Sequence, residues 1–177
     1  MDNKRFSIII GDITRMNTQA IVNAGNTSLL GGGGVDGAIH RVAGPDLLKE
    51  CELLGGCKRG EAKITGGYKL KADYVIHTAG PIWFGGNKGE EETLANCYRN
   101  SLKLAVENDI TTISFPSIST GIYKFPVEKA SEIAVKTIND FLQSDKTIEY
   151  VQIVCYDDKT YRAYKEAYDK VNNKSCE

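Results

Sequence analysis

Asn23, Asn26 and Asp36 bracket a run of glycines, Gly31 to Gly34, and these residue types at this spacing can hold a sugar phosphate. Consecutive glycines bury almost nothing and raise the entropic cost of ordering a loop, so a core gains nothing from them. What they provide is main chain that a ligand can approach closely, with N–H groups free to turn towards an anion. An asparagine amide both donates and accepts, which suits vicinal hydroxyls, and an ionised carboxylate accepts from a hydroxyl or orients a water. Each residue also has a plainer use: Asn23 and Asn26 as turn formers, Asp36 as a helix N-cap. A helix start at Asp36 would itself favour the ionised carboxylate. A nucleotide sugar is the ligand that fits this group, with one acidic side chain beside the sugar.

A second anion cradle is offered by Ser117-Ile118-Ser119-Thr120-Gly121-Ile122-Tyr123, where small hydroxyl residues and a glycine can present successive N–H groups. Its plainer reading is an ordinary turn, but paired with Gly31 to Val35 it makes a diphosphate clamp. Asp12, in Gly11-Asp12-Ile13-Thr14, either accepts from an exocyclic amine such as that of adenine or caps a turn. Gly32, Gly34 and Gly37 satisfy G-x-G-x-x-G, but Asn26 to Gly31 intervene after the strand, which argues against a dinucleotide fingerprint. No Gly-Lys-Ser/Thr follows, so a Walker A loop is excluded. His40 and His77 have no thiol or hydroxyl partner close in sequence, and no His/Cys/carboxylate cluster has metal-ligand spacing. The chemistry expected is therefore free of metal and cofactor. Glu90-Glu91-Glu92 reads as a solvated first helical turn.

The elements that must position these groups alternate along the chain. Phe6 to Ile10, Ala20 to Ala24, Ala62 to Thr65, Tyr74 to Thr78, Thr111 to Phe115 and Tyr150 to Cys155 are short apolar, β-branched runs. They are continuously apolar more often than alternating, as in a sheet covered on both faces. Helical stripes run through Leu94, Cys97, Tyr98, Ser101, Leu102 and Ala105, through Val127, Ala130, Ala134, Ile138 and Phe141, and through Tyr161, Tyr164, Tyr168 and Val171. The tyrosine stripe reads as core packing. Between Asp36 and Leu54 a helix is expected to break at Gly44-Pro45, since Pro45 suits a first turn. Strands alternating with helices predict an α/β fold, a three-layer α/β/α domain with a mixed, largely parallel sheet. In such sheets ligands bind beyond the strand C-termini, where the loops carrying Asp12, Asn23 to Asp36 and Ser117 to Tyr123 can converge.

The whole chain, residues 1–177, is expected to form one domain with its core over about residues 6–170. Charged residues make up 25% of it, and 22 basic against 23 acidic side chains leave a net charge of −1. That balance, with no long basic run, argues against strong nucleic-acid binding. Five cysteines at irregular spacings, with no C-x-x-C, fit inert thiols in a reducing cytoplasm. No apolar run approaches the ~18 residues of a membrane span, and the apolar segment after Arg5 is too brief for a signal peptide. A cytoplasmic protein is expected.

Gly11-Asp12-Ile13-Thr14, the Asn23 to Asp36 run, Gly37-Ala38-Ile39-His40-Arg41 and Pro116 to Tyr123 together resemble macrodomains of the MacroD type, which include bacterial O-acetyl-ADP-ribose deacetylases. Gly60 to Thr65, Val75 to Thr78 and Cys97 to Leu102 support the likeness. The resemblance implies a macrodomain that binds ADP-ribose and its esters, and it implies mono-ADP-ribosylated proteins as partners. On that pattern Asp12 and the Ile13 backbone take the adenine, with Tyr156 as an aromatic against it. Gly32, Gly33, Gly34 and Val35 wrap the diphosphate together with Ser119, Thr120, Gly121, Ile122 and Tyr123. Asn23, Asn26 and Asp36 surround the distal ribose and supply the catalytic groups. The activity implied is hydrolysis of esters on that ribose, and the alternative is a non-catalytic ADP-ribose reader. Gly25 stands where the family usually has alanine, and Lys124-Phe125 replaces its commoner glycine-tyrosine.

Overall fold

The apolar runs become six strands: β1 Phe6–Ile10, β2 Ala20–Gly25, β3 Ala62–Gly66, β4 Tyr74–Ala79, β5 Thr112–Phe115 and β6 Tyr150–Cys155. The computed structural model describes residues 5–174, the side chain of Lys174 excepted. The strands form one sheet in the order β1-β6-β5-β2-β4-β3. Every pairing is parallel except that of β3, which runs antiparallel to β4 at the edge. A short connection allows this reversal: the Gly67 N–H donates to the Asp73 carbonyl at 2.7 Å and closes the turn.

The helices are α1 Gly34–Ala43, α2 Pro45–Leu54, α3 Glu90–Glu107, α4 Val127–Ser144 and α5 Asp158–Lys174. Pro45 opens α2, and Gly44 between α1 and α2 has φ 89°, a conformation that ends one helix and lets the chain turn into the next. The expected break at this point is therefore present. Along β2 the side chains alternate. Ala20 and Val22 pack with α3, α4 and α5, while Ile21 packs with Ile39, Ala43, Leu47 and Cys51 of α1 and α2. The sheet is thus covered on both faces, which explains why its strands read as continuous apolar runs. Tyr164 and Tyr168 lie buried in the larger of the two apolar clusters, with Tyr161 packed against it, so the tyrosine stripe is core.

One sequence expectation fails in this part of the fold. Glu90 is buried, and its carboxylate accepts from the N–H groups of Phe84, Gly86 and Lys88, so it organises the preceding loop. A glutamate at a helix start was legible as favourable; its burial under a folded-back loop was not.

Candidate functional site

Parallel strands send the loops after β1, β2, β4, β5 and β6 to one end of the sheet, and there they enclose a cleft of about 1120 Å³. Its length follows the strand order. Asp12, Ile13 and Tyr156 lie at the β1/β6 end; Ser117 and Ser119 to Tyr123 follow β5; Asn26, Gly32 to Asp36 and Gly80 close the β2/β4 end. The cleft therefore brings together every residue expected at a binding site except Asn23.

The first anion cradle is a helix start. Gly33 is the N-cap of α1, and no side chain caps the helix, so the free N–H groups of its first turn are left for a ligand. Gly34 and Val35 belong to this helical turn, whereas a loop was expected there. Asp36 is the third residue of α1 and not its cap, because the glycine run carries the chain into the helix two residues earlier. Its side chain is turned inward and only 4% exposed. Oδ1 accepts from Asn23 Nδ2 at 2.9 Å. Oδ2 faces the glycine backbone: a Cβ would sit 3.2 Å from it at Gly32 and 3.5 Å from it at Gly25. One oxygen is thus held from behind, and the other is on the side of residues that line the cleft.

Asn23 is the correction among the site residues. It is 1% exposed and does not line the cleft; it sits on β2 behind Asp36 and holds that carboxylate. Strand alternation accounts for this, since Asn23 shares a face of β2 with Ile21, the face covered by α1 and α2. Asn26 does line the cleft, but most of its side chain serves its own turn. Oδ1 accepts from the N–H groups of Ser28 and Leu29 and from the Ser28 hydroxyl, and Nδ2 donates to the Gly31 carbonyl. The turn-former role is therefore present alongside the position at the cleft.

The second cradle is Ser117 to Lys124. Ser117 Oγ meets the Thr120 hydroxyl at 2.6 Å and the Tyr164 hydroxyl at 2.7 Å, which ties the loop to the core. Ser119 adopts φ 66° and Lys124 φ 61°, both unusual for residues with side chains. Ser119 packs so closely on the chain after β4 that a Cβ at Gly80 would come within 2.2 Å of its Oγ, so only glycine fits there. Arg59 donates to the Gly80 carbonyl at 2.6 Å and lies 5.3 Å from the Tyr123 ring centroid, bracing the end of the loop. The cradles face each other: Ile122 Cδ1 would lie 3.7 Å from a Cβ at Gly33.

At the far end Asp12 caps the 3-10 turn Ile13–Arg15. Its Oδ1 accepts from Thr14 N at 3.0 Å and Thr14 Oγ1 at 2.7 Å. The Thr14 hydroxyl, helped by the Thr14 N–H and Arg15, holds this carboxyl below its usual range against the opposing effect of burial. The cap is real, and Asp12 still lines the cleft. Tyr156 stands at the mouth, 90% exposed.

Two histidines belong to the site although nothing near them in sequence suggested partners. His40 Nε2 lies 3.4 Å from Asp36 Oδ1, without the alignment of a hydrogen bond. The i,i+4 spacing on one helix was the available signal for that pair. His77, on β4, is the register partner of Asn23 and contacts Asn23 Nδ2 through Nδ1 at 3.2 Å. Among the described residues no group of His, Cys, Asp and Glu is arranged to hold a metal ion. Cys51, Cys57, Cys97 and Cys155 are buried free thiols, and Cys176 lies outside the described residues. No helix of the described residues is long and apolar enough to cross a membrane.

Comparison with known proteins agrees with this architecture. A family model described as "Macro domain" matches residues 22–134. A macro domain-containing protein of Chlorobaculum tepidum is 59% identical over 94% of this chain and 96% of its own. A protein of Pantoea vagans named O-acetyl-ADP-ribose deacetylase 1 is 51% identical over 91% of this chain and 96% of its own. A macrodomain of Oceanobacillus iheyensis solved with ADP superposes with a TM-score of 0.90 at 46% identity, covering 94% of this chain and 91% of that one. The α/β/α layering and the mixed sheet are thus those of a known family, and this chain belongs to the macrodomains.

Proposed function

We propose that the cleft binds ADP-ribose and that the protein hydrolyses esters on the distal ribose, with O-acetyl-ADP-ribose and mono-ADP-ribosylated aspartate or glutamate side chains as substrates. The observation that carries the proposal is the Asp36 carboxylate, buried at the end of a cleft whose middle is lined by two opposed main-chain cradles. The order along the cleft fits the ligand: Asp12 and Tyr156 for an adenine, the α1 N-terminus and Ser119 to Tyr123 for a diphosphate, Asp36 and Asn26 for the far sugar. The names of the relatives support the same reading, one solved with ADP and one named as the deacetylase.

Gripping the diphosphate from two sides restrains the distal ribose, and restraint of that kind removes much of the entropic barrier to reaction. Asp36 Oδ2 accepts a hydrogen bond from a ribose hydroxyl or from the attacking water. Water adds to the ester carbonyl, the bond from carbonyl carbon to ribose oxygen breaks, and the carboxylic acid and ADP-ribose leave. Main-chain N–H groups of the glycine run are suited to the negative charge that develops on the carbonyl oxygen.

Asp36→Ala tests this reading. ADP-ribose affinity by calorimetry is expected to stay within about tenfold, while turnover of O-acetyl-ADP-ribose falls on the order of a thousandfold. A wild-type protein that binds ADP-ribose tightly but never turns over the ester is a reader, and the hydrolase proposal then fails.

A further inference from the structure

Behind Asp36 lies a buried polar chain that the cleft does not reach. Asn23, Thr65 and His77 are each 2% exposed or less, on the neighbouring strands β2, β3 and β4. Buried polar groups are costly unless partnered, and here the partners run in sequence, with the Asn23 Oδ1 alone left without one. Asn23 Nδ2 donates one hydrogen to Asp36 Oδ1 at 2.9 Å, and its other hydrogen is placed to meet His77 Nδ1 at 3.2 Å. His77 Nε2 lies 2.8 Å from Thr65 Oγ1, and Thr65 Oγ1 in turn donates to the Gly66 carbonyl at 3.1 Å.

These contacts fix the hydrogens. If the Asn23 amide were flipped, its oxygen would face the Asp36 carboxylate, two acceptors without a proton between them. Nitrogen must therefore point that way, and the same nitrogen meets His77, whose Nδ1 must then be bare and accepting. The hydrogen of the neutral ring sits on Nε2 and is given to Thr65, whose own hydroxyl hydrogen is already spent on Gly66. Burial, reinforced by the nearby His40, keeps the ring neutral, with its pKa pushed down to about 3. Cys51 Sγ, 3.8 Å from Nε2, is a bystander whose thiol is itself pushed up to about 11 by burial and by the Asp36 and Glu50 charges.

Resting on the proposed role of Asp36, we infer that His77, backed by Thr65, is a positioning residue: it holds the Asn23 amide in the one orientation that aims Asp36 into the cleft. The chain Thr65–His77–Asn23–Asp36 spans three strands and one helix, so the carboxylate is set by the sheet and not by its own helix alone.

Two measurements test it. In 15N spectra of the wild-type protein His77 is expected as a neutral ring with Nε2 protonated and Nδ1 bare; the opposite tautomer, or an imidazolium at pH 7, overturns the inference whether or not the protein is a hydrolase. The second uses paired variants. The amide oxygen of His77→Asn can take the place of Nδ1 and still accept from Asn23, whereas His77→Gln reaches only towards Thr65 and leaves the Asn23 hydrogen unpaired. His77→Gln is expected to lower kcat about tenfold at unchanged KM, with His77→Asn restoring most of it. Equal loss in both, tracking a loss of thermal stability, would mean that His77 only fills space. Should either fail to fold, Thr65→Val against Thr65→Ser asks the same question from one step back: a kcat lost in the first and kept in the second is expected, and equal kcat in both overturns it. If the wild type shows no turnover, the hydrolase proposal fails separately, and the tautomer still decides this one.

Discussion

Asp36 and the loop from Ser117 to Lys124 form opposite walls of one cleft, and they are built on different physical plans. The Asp36 wall is buried and cross-tied: the carboxylate is 4% exposed, and Asn23, His77 and Thr65 stand behind it in hydrogen-bonded order. The facing wall is exposed at its tip, where Ile122 is 79% accessible, and holds two residues with side chains at positive φ, Ser119 at 66° and Lys124 at 61°. Low local stability and strain belong to segments that move, while buried polar networks belong to groups that must not. The wall carrying the acid is therefore fixed before ligand arrives, and the wall carrying the second cradle is the one suited to adjust around it.

The largest effect that sharpens this contrast is acid sensitivity of the buried wall. The pKa of His77 is about 3 in the fold and about 6.5 in the unfolded chain, where it is free to charge. A depressed pKa means that the unfolded state binds the proton first. The stability it confers is complete above about pH 6.5 and is lost as pH falls from there towards 3, with a slope approaching about 1.4 kcal/mol per pH unit. Urea unfolding of the wild type and His77→Asn at pH 7 and pH 5 should show the wild type losing more; His40, Asp36 and Cys51, which surround the ring, remain in both. Equal losses would mean that the ring is not held neutral and that the buried wall is less rigid than its contacts imply.

Next in size is Gly37→Ala, which strikes the fixed wall through the Gly32 carbonyl. Alanine favours a helix interior by about 1 kcal/mol over glycine. Against this, its Cβ would lie 2.6 Å from the Gly32 carbonyl oxygen, a backbone atom that cannot swing aside as a side chain would. Overpacking of this kind costs about 1–3 kcal/mol, so the clash wins. The substitution should displace the glycine run and weaken ADP-ribose binding by about tenfold or more in calorimetry. Gly25→Ala is the control: its Cβ meets Asp36 Oδ2 at 3.5 Å, an ordinary contact, so affinity should be kept even though both positions lie beside the same carboxylate. Equal losses in the two variants would break the account of the fixed wall.

These two walls were not equally legible in the sequence. The glycine run, Asp36 and the Ser117 to Tyr123 segment announce main-chain anion cradles through composition alone, and apolar runs alternating with helical stripes give the layered fold. What sequence spacing could not carry is register. Asn23 and His77 are partners only because β2 pairs with β4, and Thr65 meets His77 only because β3 folds back antiparallel beside it. Those pairings turn Asn23 from a ligand contact into a support and give His77 the partners it lacked along the chain. The plainer use of Asp36 as a cap falls away for a related reason: glycine at the N-cap starts the helix early and places Asp36 inside its first turn. Glu90 shows the same limit, since a loop that returns over a helix start has no local signature.

The smallest prediction addresses the adjustable wall. Lys124 holds φ 61° with its N–H donating to the Gly121 carbonyl at 3.0 Å. A residue with a Cβ costs about 1–2 kcal/mol in this conformation, and Lys124→Gly removes that cost. Glycine also enlarges the unfolded ensemble, which offsets about 0.5–1 kcal/mol. The balance is a gain of about 0.5 kcal/mol, or a Tm rise of roughly 1–2 °C for a chain of this size. The same exchange loosens the loop, so ADP-ribose should leave faster in stopped-flow displacement even as the protein melts later. A variant that melted earlier would show that the lysine conformation is supported by contacts and not strained. A slower release would assign the adjustable wall a stiffness that its exposed tip and positive-φ residues argue against.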